Sequence, residues 1–194
     1  MLKRAVIGGY DRLGEMIRCN IHRYCCRKLQ GILILLNHFL EKKKERRKMV
    51  HKDCSYCAEG ELLDAFGIKI GELPMSKVIL FKEQSHRGRI IVACRKHVDD
   101  ITDLSKEERI AFMEDVNMVA EAMHELFHPD KINFGAYGDT MHHLHFHLVP
   151  KYKDGYEWGG VFAMNPGEKF LSDEEYLDMI GQISERLFGS SVES

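Results

Sequence analysis

No stretch of this chain is apolar for long enough to cross a bilayer. The most apolar run, Gly31-Ile32-Leu33-Ile34-Leu35-Leu36, stops at Asn37 and His38, whereas a spanning helix needs about 20 such residues. No small-residue cleavage site follows the run, so it does not read as a secretory signal. Without a secretory pattern, the six cysteines read as thiols in a reducing compartment and not as a disulfide framework. A cytoplasmic protein without a membrane partner is the expectation. A broad basic face is missing too. Residues 51–194 hold 15 Lys+Arg against 26 Asp+Glu, which argues against nucleic acid as a general partner. Any phosphate site has to be local. No internal repeat is visible.

The positive charge lies at the start. Residues 1–50 hold 13 Lys+Arg against 4 Asp+Glu, and Glu41 to Lys48 is a dense charge run. Glu45-Arg46-Arg47-Lys48-Met49 can be encoded by codons containing AGGAGG just ahead of an ATG, the layout of a bacterial ribosome-binding site. The expectation is a basic extension over 1–48, read as a translated leader, with the folded domain spanning 49–194. The competing reading is a basic helix that touches membranes or nucleic acid.

From Met49 onward the patterning is orderly. Val78 to Phe81 and Arg89 to Cys94 are β-branched apolar runs separated by His86-Arg87-Gly88, which reads as two strands and a turn. Ser105-Lys106-Glu107-Glu108 is a capping box. The helix it opens carries Met113, Val116, Ala120, Met123 and Phe127 at three- and four-residue spacing. Lys131 to Gly135 and His143 to Pro150 read as two further strands joined through Gly138-Asp139-Thr140. A second capping box, Ser172-Asp173-Glu174-Glu175, opens a terminal helix with Tyr176, Met179, Ile180, Ile183 and Leu187 apolar. Strands grouped around one long helix predict an α+β fold with an antiparallel sheet.

One stretch stands apart: His143-Leu144-His145-Phe146-His147-Leu148-Val149. On a strand, side chains alternate faces, so the three histidines share one face and the apolar residues the other. Chance places His at three alternating positions in only about 3% of chains of this composition. Imidazole titrates near neutral pH, ligates metals, attacks as a nucleophile and shuttles protons.

This pattern, His-φ-His-φ-His-φ-φ with φ apolar, resembles the signature of the histidine triad (HIT) superfamily, matched at every position. Arg89 to Val98, Asp103-Leu104 and Asn133 to Thr140 resemble the preceding segments of bacterial members. The resemblance covers Cys54 to Tyr152. It implies an α+β, HIT-like fold with a five-stranded antiparallel sheet, one long helix and a C-terminal helix, usually as a homodimer. It also implies nucleotidyl hydrolases and transferases that act at the α-phosphate of AMP conjugates such as diadenosine polyphosphates and adenosine phosphoramidates. On that resemblance His145 is the nucleophile, its ring held by the main-chain carbonyl of His143, and His147 donates to a phosphate oxygen. Asn133, Gly138, Asp139 and Thr140 match the phosphate-loop positions. A phosphorylase or nucleotidyltransferase shares the intermediate, and a zinc-containing nucleotide-binding module without turnover is the rival from another class.

Cys54-x-x-Cys57 offers two thiolates from one turn, half of a tetrahedral zinc site, though redox motifs share the spacing. Some family members hold zinc with such a pair, a His after the second strand and the first triad His. By that resemblance Cys54, Cys57, His97 and His143 form a structural zinc site. His142 stands where bacterial relatives often have Pro. It fits a surface residue, an extra proton donor or a metal ligand, with the surface reading preferred. His86, Arg87 and Arg89 read as solvated hairpin residues or as aids to a polyphosphate leaving group. Trp158 either stacks on a base or packs on the sheet.

Overall fold

The computed structural model describes residues 53–167 and 169–189. The extension over 1–48, with its leader and basic-helix readings, and the boundary at Met49 lie outside those residues.

Five strands form one antiparallel sheet: β1 (Gly67–Glu72), β2 (Ser76–Phe81), β3 (Ile90–Cys94), β4 (Lys131–Gly135) and β5 (His145–Lys151). Their spatial order is β1-β2-β3-β5-β4. Among the described residues four α-helices accompany them: α1 (Ser55–Ala58), α2 (Glu61–Asp64), α3 (Lys106–Phe127) and α4 (Asp173–Phe188). The expected α+β fold with a five-stranded antiparallel sheet, one long helix and a C-terminal helix is therefore present. Among the described residues, no helix is long and apolar enough to cross a membrane.

Both capping boxes form. Ser105 Oγ accepts from Glu108 N, and Glu108 reaches back to the Ser105 N–H; Ser172 and Glu175 repeat the arrangement. Each satisfies two donors that a helix start leaves unpaired.

The strand period divides the sheet into two faces. Val78, Leu80, Ile90, Val92 and Leu148 pack against Phe112, Val116, Val119 and Met123 of α3 and Met179 and Ile183 of α4. Ile79, Phe81, Ile91 and Ala93 face the other way and are covered by Tyr56 and Leu63. His145 pairs with Ala93 and His147 with Ile91, so both histidines lie on this second face. Two expectations need correction. Met113 is 41% exposed, and its neighbour Phe112 is the fully buried residue at that turn. Regular pairing in β5 starts at His145, not at His143.

β1 has no counterpart in the strands predicted from residue pattern. Its ends are glycine and glutamate, and it is an edge strand whose residues are mostly half-buried. It therefore lacks the continuous apolar run that marks buried β3. The long β2–β3 loop turns at Gly88, where φ is +85°. A Cβ there would stand 2.5 Å from the Phe127 ring.

Candidate active site and metal centre

The three histidines are held differently, and each hydrogen bond fixes a ring nitrogen. His143 lies just before β5 and is buried. Its Nε2–H donates to the Cys94 carbonyl oxygen at 2.6 Å, so the Nδ1 lone pair faces away from β3. His145 Nδ1–H donates to the His143 carbonyl oxygen at 2.6 Å, so its Nε2 carries the free lone pair. His147 Nδ1 accepts from the Arg89 guanidinium at 3.1 Å, so its proton sits on Nε2. Second partners set imidazole tautomers in this way.

Burial lowers the pKa of His145, partly opposed by the bond to the His143 carbonyl. Burial, and then the Arg89 charge, hold His147 down at about 3. Both rings are therefore neutral at pH 7. They stand edge to face with centroids 5.2 Å apart. The Tyr56 ring packs at 5.0 Å from His145 and 5.1 Å from His143. Phe81 and Phe162 flank His147.

His143 Nδ1 looks into a second cluster. It lies 3.3 Å from Cys54 Sγ, 3.5 Å from Cys57 Sγ and 3.2 Å from His97 Nδ1. Cys57 Sγ is 3.3 Å from His97 Nδ1. All four ligand atoms lie within 4.8 Å of one another. A tetrahedron with metal–nitrogen bonds near 2.05 Å and metal–sulfur bonds near 2.3 Å has edges of about 3.3–3.8 Å. These four spacings sit within or just under that range, and two thiols with two imidazoles suit a tetrahedral cation. Burial and the neighbouring Cys54 push the Cys57 thiol up to about 12, and a bound divalent cation supplies the charge that reverses such a shift. The Cys94 carbonyl holding His143 Nε2–H is the outer partner that orients a metal-bound imidazole. The donor set fits a metal.

Local folding explains the convergence. Cys54 caps α1, and its carbonyl accepts from the Cys57 and Ala58 amides, so one helical turn brings the two thiols together. Past β3, Leu144 N donates to Val98 O at 2.7 Å, which carries His97 alongside His143.

The proposed phosphate-loop residues divide. Asn133 pairs with Val149, which puts it on the histidine face, one strand beyond β5. Gly138 lines an open cleft with Asp99, Asp100, Tyr137, His143 and His145. His147 is not among the lining residues. Asp139 and Thr140 are exposed in the loop between β4 and β5. His142 is exposed, in keeping with its surface reading, and Trp158 is exposed at 45%.

The hairpin residues differ from expectation. Arg87 is exposed, but His86 and Arg89 are buried. His86 Nε2 lies 3.0 Å from Glu157. Arg89 belongs to the site itself, and a signal for it was present: Arg89, Ile91 and Ala93 alternate, so one strand face carries all three. Tyr56 and Phe162 had no such signal, because only tertiary packing brings them to the histidines.

Residues 67–154 match the family model described as the HIT domain. The ordered histidines lie within that span, so this part of the chain is similar to HIT domains. A Bacillus subtilis relative, named Protein hit, is 23% identical over 148 residues, covering 70% of this chain and 99% of its own length. A histidine triad protein from Marinobacter aquaeolei superposes with a TM-score of 0.61 at 24% identity, over 66% of this chain and 94% of that one. A hypothetical histidine triad nucleotide-binding protein from Sulfolobus tokodaii gives 0.53 at 18% identity, over 71% and 98%.

Proposed function

We propose that this protein is a nucleotidyl hydrolase that cleaves at the α-phosphate of an AMP conjugate through a covalent nucleotidyl-histidine. The observation that carries the reading is the 2.6 Å bond from His145 Nδ1–H to the His143 carbonyl. It leaves the Nε2 lone pair of a neutral imidazole free. That lone pair attacks the α-phosphorus, the N–P bond forms, and the bond to the leaving oxygen breaks with its electron pair on oxygen. The ring then carries positive charge, which the His143 carbonyl stabilises through Nδ1–H. Water next attacks phosphorus, the N–P pair returns to Nε2, and the water gives one proton to solvent. Splitting the displacement in two lowers each barrier.

His147 Nε2–H donates to a phosphate oxygen, where charge spreads as the bond breaks. Gly138 in the cleft and Asn133 on the histidine face are the proposed substrate contacts, with Asp139 and Thr140 in the adjoining loop. The HIT-domain match and the description of the Sulfolobus tokodaii relative as nucleotide-binding support a nucleotide substrate. Zinc is the proposed occupant of the Cys54, Cys57, His97 and His143 cluster, where a closed four-ligand site ties α1 to the start of β5. A cytoplasmic homodimer completes the reading, with a second copy pairing at the free edge of β4; light scattering at the dimer mass supports it, and the monomer mass removes it.

The deciding experiment is turnover of a panel of adenylyl conjugates by wild type and His145→Ala. Loss of a nucleophile lowers kcat/KM by about 10³-fold or more. If no conjugate is cleaved faster by wild type than by the variant, the hydrolase reading fails. Products formed with and without inorganic phosphate separate hydrolysis from phosphorolysis.

A further inference from the structure

Arg89 is fully buried and lies where a buried cation is unexpected. Its guanidinium stands 4.0 Å over the Phe81 ring and 5.2 Å from Phe162. Nη1 donates to the Met164 carbonyl at 2.9 Å, and Nη2 lies 3.1 Å from both Met164 Sδ and His147 Nδ1. Its Nε has no hydrogen-bond partner. Among the described residues no carboxylate lies within ion-pair distance of it. Glu83, Tyr56, Glu157 and Tyr137 are the charged or titratable groups whose fields reach it, and His145 faces His147 from the same strand. Burial lowers the Arg89 pKa only to about 10, so the group is charged at neutral pH. A buried charge without a paired carboxylate needs a reason.

We propose that Arg89 is a positioning residue that locks His147 as a neutral donor with its proton on Nε2, and so confines this site to substrates whose leaving group departs as an oxyanion: phosphoric anhydrides over phosphoramidates. This rests on the hydrolase reading. The Arg89 N–H occupies the Nδ1 lone pair of His147. A second proton on the ring requires breaking that bond and placing an imidazolium against the guanidinium. His147 therefore donates a hydrogen bond but no proton. For an anhydride this suffices: the P–O electron pair leaves on a phosphate oxygen that is stable as an anion near pH 7. For a phosphoramidate the P–N pair leaves on nitrogen, which must gain a proton to depart as an amine. The ring beside the reacting phosphorus has none to give.

General-acid assistance contributes about 10²–10⁴-fold. Wild type is therefore expected to show kcat/KM for a diadenosine polyphosphate at least about 100-fold above that for adenosine 5′-phosphoramidate. Arg89→Gln, which removes the charge and keeps an N–H donor, is expected to narrow that ratio by about 10-fold or more, and Arg89→Lys to restore part of it. Nitrogen-15 NMR of histidine-labelled wild type should show His147 neutral with the proton on Nε2 from about pH 5 to 8. In Arg89→Gln the ring should titrate inside that window. Titration of His147 within the window in wild type overturns the lock. Equal wild-type kcat/KM on the two substrates overturns the substrate class while leaving the hydrolase standing. Turnover of neither substrate overturns the substrate class, the full adenylyl panel judges the hydrolase reading, and the NMR titration still judges the lock. The wild-type measurements decide the matter even if the Arg89 variants do not fold.

Discussion

His143 holds His145 through its backbone while its own ring faces the thiols. Its carbonyl accepts from His145 Nδ1–H at 2.6 Å, and its Nδ1 lies 3.3 Å from Cys54 Sγ. One residue therefore joins the candidate metal cluster to the candidate nucleophile.

Metal removal tests that link. Protein purified without an affinity tag should contain close to one zinc per chain, and Cys54→Ser less than about 0.3. Chelation should lower Tm by more than about 5 °C, because a structural metal contributes directly to folding energy. It should also lower kcat through His145. Wild-type zinc below about 0.3 per chain would remove zinc from this account.

The covalent intermediate should be trappable. A reaction quenched in base, where a phosphoryl–imidazole bond survives, should yield a His145 peptide heavier by one nucleotidyl group. His145→Ala should give no adduct. An adduct on His147 instead would reverse the roles assigned to the two rings.

The register of α3 predicts a contrast between adjacent residues. Phe112 is fully buried and packs 6.0 Å from the Phe146 ring, whereas Met113 is 41% exposed. Phe112→Ala should cost about 3–5 kcal/mol in urea unfolding, and Met113→Ala no more than about 0.5 kcal/mol. Equal losses would contradict the register.

Stability should fall with acid in a manner traceable to His147. Its folded pKa of about 3 lies below the unfolded value, which is about 6.5. Above about pH 6.5 both states are neutral and the contribution is fully present. As pH falls below that, the unfolded chain takes up the proton first, and stability drops by about 1.4 kcal/mol per pH unit for this one group. The burial-lowered pKa of His86 adds in the same direction. Unfolding free energies between about pH 7 and 5 should show a shallower slope in His147→Asn than in wild type. An unchanged slope would mean that His147 is protonated in the folded protein.

How much of this was legible in the chain depends on the range of the interaction. The capping boxes at Ser105 and Ser172 are local, since each side chain reaches its partner within one turn, and both are found where the residues predict them. The strands β2, β3, β4 and β5 carry buried apolar runs or alternation and were visible; β1, half-buried at the sheet edge, was not. The triad was legible because a period of two forces side chains onto a shared face. The Cys-x-x-Cys pair was legible as a turn, but its convergence with His97 and His143 came from resemblance, as no local rule joins residues 40 and 86 positions apart.

The sequence by itself determined the domain class, the three imidazoles and the helix starts, because these follow from spacing along one backbone. Tertiary structure decided which nitrogen carries the proton on His143 and on His147. The partners that set them include Cys94 O for His143 and Arg89 for His147, which lie 49 and 58 residues away in the chain. Three chemically identical side chains thus acquire three roles through partners brought by β3 and by the chain turn before β5.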